Sequence, residues 1–428
     1  MFAAEEIPAS IVTYVAVLMF LQIDTKPALA TCYCGLLFLP WVLKSFLRKQ
    51  VRSMGRFCNQ LQWLELAIVA TLMVIAFAFL RYTRQNFWLF TGLFVLSLLT
   101  AWHELAARMY YERMLRPREQ YYYNGPKILF SQAAVVLTYG LLIMFVGALQ
   151  VFYRRIPRSW TEGCYLMAGI MLLFAVYHLF TLRRTNVGDQ RQHGTAFDAV
   201  RQEMRVIDRI RRKPYWLSVV VGLFLLLLPQ SLMFYSRVLF LLAHKSDGGL
   251  GCTIQEVGFA QGTVGVIAFS IGLLLGRRLS AKYSVKSSEL AAHSNNAEQA
   301  KPHSPELETQ DARLFLLTLS PIIYLLMTYC PPKSLMMLCV ATFTAQFLFG
   351  FGLNAIMSFV HYISGERYRN TINYFYIPLV ATVMLPAMVL SGYLVELLGF
   401  RTFFLIDVLT APVAWAYLYR MKVERLKD

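Results

Sequence analysis

A chain of 428 residues that is 57% hydrophobic is too apolar for a soluble globule, in which apolar usage is nearer about 45–50%. The 41 Lys and Arg against 24 Asp and Glu leave a net charge of +17, but the basic residues sit in short segments between long apolar runs. That is the pattern of a polytopic membrane protein, not of a nucleic-acid-binding face. The seven cysteines have no C-x-x-C spacing and fall mostly inside apolar runs, where they read as small packing residues.

A bilayer core takes about 20 apolar residues per helix, and twelve such spans follow one another. The first runs from about Phe2 to Gln22 and is expected to be retained, because Glu5 and Glu6 stand where a basic leader would be. The second, about Pro27 to Phe46, precedes a basic loop with Arg48, Lys49, Arg52 and Arg56. Spans three (Leu61 to Leu80) and four (Phe87 to Ala107) are joined by a short turn. Asn124-Gly125-Pro126 is expected to break the chain before span five, which ends near Phe152. Span six covers Trp160 to Leu182.

The middle of the chain is a basic seam, Arg183 to Lys213, with nine Lys and Arg. Within it Phe197, Val200, Met204, Ile207 and Ile210 recur at steps of three and four, which reads as an amphipathic helix on a membrane surface or as a solvated tether with incidental periodicity. Spans seven (Trp216 to Leu242) and eight (Val257 to Leu275) follow. A polar linker, residues 280–311, has too few apolar residues to build a core and is expected to be disordered. Spans nine to twelve are Leu314 to Tyr329, Leu335 to Ile363, Ile372 to Leu398 and Thr402 to Tyr419.

The gaps on one side of this zigzag, counted with the seam and the tail, hold 31 of the 41 Lys and Arg. The positive-inside rule then puts both termini in the cytoplasm. The expected architecture is all-α, with twelve transmembrane helices in two six-helix bundles: residues 1–182, a cytoplasmic loop 183–214, and residues 215–428. Two such halves are the layout of a secondary transporter.

Several segments resemble a known family. Phe2-Ala-Ala-Glu-Glu-Ile-Pro8 and Leu39-Pro40-Trp41-Val42-Leu43-Lys44 are similar to the openings of helices one and two in the muropeptide-permease (AmpG-like) branch of the major facilitator superfamily. Tyr110, Leu115, Pro117, Glu119 and Gln120 echo its loop after helix four. Gly276-Arg277-Arg278 looks like the superfamily's basic turn after helix eight, and Gly392-x-x-x-Glu396-x-x-Gly399 with Phe403-Phe404 resembles the branch's last helical turn. The resemblance implies the major facilitator fold, uptake of cell-wall muropeptides across the cytoplasmic membrane, and coupling to protons.

Ionisable groups inside spans are costly and therefore candidates for function. Glu5 and Glu6, just before Pro8, read as proton carriers or as groups at the cytoplasmic surface. Arg237, on span seven with Gln230 and Tyr235, reads as a receptor for a carboxylate or phosphate, or as a side chain snorkelling outward. Gln132, Tyr139, Gln261, Gln346 and Asn354 read as the polar lining of a solute cavity, or as interhelical ties of roughly 1 kcal/mol each. Glu65, Glu162 and Asp407 are placed near span ends and read as interfacial, and His178 reads as structural. Gly258, Gly262, Gly265, Gly272, Gly350 and Gly352 permit close helix approach, and Pro378 and Pro386 permit kinks.

The function these observations imply is a secondary active transporter of a polar, anionic solute, working as a monomer with protons and without a cofactor. A drug or metabolite exporter of the same fold is the alternative. A membrane-embedded transferase is a further one, resting on the single adjacent pair His103-Glu104. No Walker motif, metal cluster or Gly-x-Ser-x-Gly is present, so no catalytic or metal-binding residue is assigned.

Overall fold

A computed structural model describes residues 1–54, 57–80, 85–182, 212, 216–278 and 315–420, with some side chains left out within helices. The basic seam apart from Arg212, the polar linker and the C-terminal tail after Arg420 lie outside the described residues. Every regular element among those described is helical.

Nine helices in this set are long and apolar enough to cross a bilayer. In chain order they are α1 (Phe2–Gln22), α4 (Phe57–Leu80), α5 (Gln85–Met114), α6 (Gly125–Tyr153), α7 (Ile156–Thr181), α8 (Trp216–Leu242), α9 (Ile254–Arg278), α11 (Leu335–Leu353) and α12 (Pro378–Arg420). Two shorter apolar helices, α2 (Pro27–Val42) and α10 (Phe315–Tyr329), complete the set, and a basic amphipathic helix, α3 (Lys44–Met54), follows α2. α3 sets Val51 and Leu47 against Phe57, Leu61 and Leu105, so its apolar face closes one end of the N-terminal bundle.

The helical backbone runs on from Leu335 to Arg420, yet it is not one rod. Gly399 has φ +72°, a left-handed value that a right-handed helix cannot continue through. Val383 and Trp415 belong to one apolar cluster, although a straight helix would hold them roughly 48 Å apart. α12 is therefore a hairpin folded at Gly399, and each arm is long enough for a span. Ala355 and Ile356 join the same cluster, so the chain also turns back between α11 and α12.

Two expectations about breaks are corrected. Asn124-Gly125-Pro126 does not end a helix: the helical backbone starts at Pro117 and carries Pro126 inside it. A proline loses one backbone hydrogen bond there, which one exposed helical turn tolerates. The second span ends at Val42 rather than Phe46, because Leu43 turns the chain into α3.

The two halves meet along two lines of small residues. At α2 and α12, a Cβ on Gly35 would collide with Val389 and one on Gly392 with Thr31 and the Pro27 carbonyl. Thr31 Oγ1 also accepts a hydrogen bond from the Gly392 N–H at 3.2 Å. At α6 and α9, a Cβ on Gly262 would strike the Tyr139 carbonyl, one on Gly140 would meet Thr263, and one on Gly258 would press on Ile143. Without an apolar driving force between helices in lipid, such close backbone approach is what holds them. The contact predicts its own test. Gly262→Ala should lower stability by about 1–3 kcal/mol in detergent thermal unfolding, because its Cβ meets backbone that cannot yield. Gly169→Ala, facing open space on α7, should leave the unfolding curve in place.

Candidate functional site

Between these seams lies a guanidinium without a counter-charge. Arg237, five residues before the end of α8, is 6% exposed, so it does not snorkel out to the surface. Its Nε has no partner, and among the described residues it forms no hydrogen bond or ion pair. A ring lies beside it: Cζ is 5.5 Å from the centroid of Phe234. Its charge acts on the hydroxyls of Tyr14, Tyr139, Tyr235 and Tyr324, which come from α1, α6, α8 and α10. The site thus draws on both halves.

The aromatic wall is continuous. Tyr14 stacks on Tyr139 at 5.2 Å and on Phe234 at 5.7 Å, and Phe38 of α2 meets Phe234 edge-on at 5.9 Å. On the far side Gln261 Nε2 donates to the Tyr324 hydroxyl at 2.8 Å, and Gln346 Nε2 donates to Gln261 Oε1 at 3.3 Å. Gln261 and Gln346 thereby fix the direction of the Tyr324 hydroxyl. Tyr235 instead donates to the Cys34 carbonyl of α2 at 3.3 Å, tying α8 to the other half.

Three of these residues stand on π-turns. Tyr14 lies in Ile11–Val15, Tyr139 in Val136–Leu142 and Gln261 in Gly258–Gly265. A π-turn inserts an extra residue and swings the side chains that follow it, and such turns gather at functional sites. Here they bring α1, α6 and α9 to one point.

The polar residues named from sequence divide accordingly. Arg237, Tyr139, Tyr235, Gln261 and Gln346 come together. Gln230 does not join them: it donates to the Leu317 carbonyl at 2.6 Å and to Ser320, tying α8 to α10. Gln132 accepts from Ser270 at 3.3 Å and ties α6 to α9. The side chain of Asn354 lies outside the described residues. Tyr14, Phe38, Phe234 and Tyr324 belong to the site and were not singled out. Aromatic residues are common throughout these spans, and a π-turn leaves no mark in a periodicity.

Glu5 and Glu6 lie elsewhere in the N-terminal half, half-buried near the start of α1. The charges that reach them are those of Lys44, Lys127 and Glu104. Lys44 is ion-paired with Glu104 of α5, whose other oxygen accepts from Trp41 Nε1 at 3.0 Å. Lys127 sits over the rings of Phe2 (4.9 Å) and Tyr111 (5.7 Å). This cluster carries one carboxyl more than it has lysines.

Two acids expected at the interface are in the interior instead. Glu65 and Asp407 are both 0% exposed. Their distance from a span end misleads, because lateral packing against neighbouring helices buries them. Asp407 leaves both carboxyl oxygens without a partner. Glu162 is half-buried.

Solved structures share this architecture. The nucleoside transporter NupG aligns with a TM-score of 0.66 at 13% identity, covering 98% of this chain and 97% of its own. A bacterial homologue of the human lysosomal transporter Spinster, in an inward-facing and unoccupied conformation, aligns at 0.63 and 15% identity, covering 98% and 94%. The xylose transporter XylE from E. coli, in an inward-open conformation, aligns at 0.58 and 11% identity, covering 99% and 95%. The chain has the major facilitator fold. No family model matches it, and no curated protein matches it in sequence.

Within this facilitator fold the Lys44–Glu104 pair has a measurable consequence. Lys44→Met leaves Glu104 buried without its cation and should cost about 3–5 kcal/mol in thermal unfolding. Adding Glu104→Gln to it should restore most of that loss.

Proposed function

We propose that this protein is a secondary active transporter that moves a small polar solute across a membrane by alternating access, with Arg237 as the receptor for an anionic group on the solute. The observation that carries this reading is the unpartnered guanidinium, buried between the halves and walled by tyrosines. An unpaired buried charge is expensive, and a carboxylate or phosphate arriving from water repays that cost with paired, charge-assisted hydrogen bonds. The aromatic wall suits the apolar face of a sugar or peptide.

The layout that goes with this function is twelve crossings in two six-helix bundles, the arms of the α12 hairpin counting as two. The seam, residues 183–214, and both termini are on the cytoplasmic side of the inner membrane, as the basic residues require. The solute is muropeptide-like and enters with protons, and the protein works as a monomer. The surplus carboxyl in the cluster of Glu5, Glu6, Glu104, Lys44 and Lys127 is where a coupling proton would be held. That the fold is shared with nucleoside, xylose and peptide transporters is consistent with polar solutes of this size. The stacked rings of Tyr14, Tyr139 and Phe234 also favour a second reading, export of an aromatic amphiphile that carries an acid group.

Uptake of a labelled anhydro-muropeptide into proteoliposomes, with and without an inward proton gradient, tests the proposal. Gradient-stimulated uptake is expected. Arg237→Ala should raise KM by about ten- to a hundredfold, the loss of one or two hydrogen bonds to a charged group, while Arg237→Lys recovers part of it. Unchanged uptake in Arg237→Ala would contradict the role of Arg237. Efflux of an aromatic acid without muropeptide uptake would decide for the second reading.

A further inference from the structure

The N-terminal bundle holds another set of titratable groups that the solute site does not use. Glu65 on α4, His103 on α5 and His178 on α7 come from three helices and meet in its interior. Glu65 Oε1 lies 2.6 Å from His178 Nδ1 and 3.3 Å from His103 Nε2, and the three side chains are 1%, 0% and 2% exposed. Among the described residues, Glu65 Oε2 and His103 Nδ1 are buried without partners.

Few other charges face this set. Just before α1, the titratable α-amino group of Met1 lies 2.9 Å from His178 Nε2, with Glu5 beyond it. Among the described residues, the charged groups acting on Glu65 are His103 and His178; on α5, Glu104 pairs instead with Lys44, and Arg113 stacks on Phe57 at 4.4 Å. From α7 the neighbours of His178 are the rings of Phe174 and Tyr177.

Neutral groups tie helices together elsewhere in this protein. Ser10 meets Thr138, Gln22 meets Gln150 and Trp160, and Ser270 meets Gln132. Those ties desolvate no charge. A carboxylate and two imidazoles, fully buried and with two polar atoms unfilled, are a costly way to do the same work. What they add over neutral groups is an exchangeable proton.

We propose that Glu65, His103 and His178 form a proton-holding centre of the transport cycle, additional to Glu5 and Glu6. With His103 Nε2 donating to the carboxylate, its free Nδ1 is the open position. A proton from water binding there makes an imidazolium paired with the carboxylate, and the set passes from one net negative charge to none. Its release reverses the step, and only an N–H bond forms or breaks. The next residue on α5 is Glu104, paired with Lys44 at the start of α3 and with Trp41 at the end of α2. α2 in turn packs on α12 across the seam, through Gly35 and Thr31. A shift of α5 on protonation therefore reaches the contact between the halves.

This inference rests on the transporter reading, and the test keeps the two apart. In detergent, the unfolding temperature of the purified protein is followed against pH for wild type, Glu65→Gln and His103→Asn. A titrating centre predicts a step in the wild-type profile, equivalent to about one proton, that both variants remove. A merely structural network predicts profiles of unchanged shape displaced to lower temperature, and that result overturns the proposal. His103→Asn keeps the test open should Glu65→Gln fail to fold. In proteoliposomes both variants should lose gradient-driven accumulation but keep counterflow exchange of the solute. Accumulation kept at the wild-type level would also overturn it. Absence of any wild-type transport would instead count against the transporter reading, and the unfolding profiles would still decide whether the centre binds a proton.

Discussion

A charge inside a bilayer has to be paired, hydrated or put to use, and the arrangement of this protein follows from where each of those solutions is applied. Lys44 and Glu104 are paired and fasten α5 to the start of α3. Glu5, Glu6 and Lys127 stay half-buried near one end of the N-terminal bundle. Arg237 is neither paired nor hydrated by the surface, and it stands where the two halves converge. An isolated guanidinium there is a standing cost to the protein, and the proposed anionic solute would recover it. In the proposed transport cycle, that difference between empty and occupied states would let a solute bias two arrangements of the same helices.

Movement of the halves requires contacts that are close but not interlocked. Gly392 on one side and Gly140 and Gly262 on the other bring helices close to neighbouring backbone, while Gly35 and Gly258 admit the side chains of Val389 and Ile143. The π-turns in α1, α6 and α9 stand beside those contacts and carry Tyr14, Tyr139 and Gln261. A backbone already holding an extra residue per turn has a local register it can give up. The proposed solute site and the close contacts between the halves are in this way built from the same helical segments.

Much of the fold was legible in the sequence because lipid allows so little choice. Spans of about 20 apolar residues and basic loops on one side are forced by desolvation of the backbone and by the membrane potential during insertion. Arg237, Tyr139, Gln261 and Gln346 stood out for the same reason, as polar groups in apolar runs. Burial was less legible. Glu65 and Asp407 lie near span ends, and depth along a helix says nothing of which face meets a neighbour. Gln132 and Gln230 are as polar as Gln261, and only the packing of α6 on α9 and of α8 on α10 makes them ties. Tyr14 and Tyr324 carried no signal, because rings are frequent in spans and the π-turn that aims Tyr14 depends on backbone register.

The most direct test of this account is the distance between the halves. Spin labels at Arg154→Cys, between α6 and α7, and Lys333→Cys, between α10 and α11, occupy exposed positions on the same side of the helices. Pulsed dipolar spectroscopy on a cysteine-replaced background in liposomes reads their separation. Alternating access predicts two populated distances that exchange weight when pH or solute is changed. One narrow distance, unmoved by either, would contradict it.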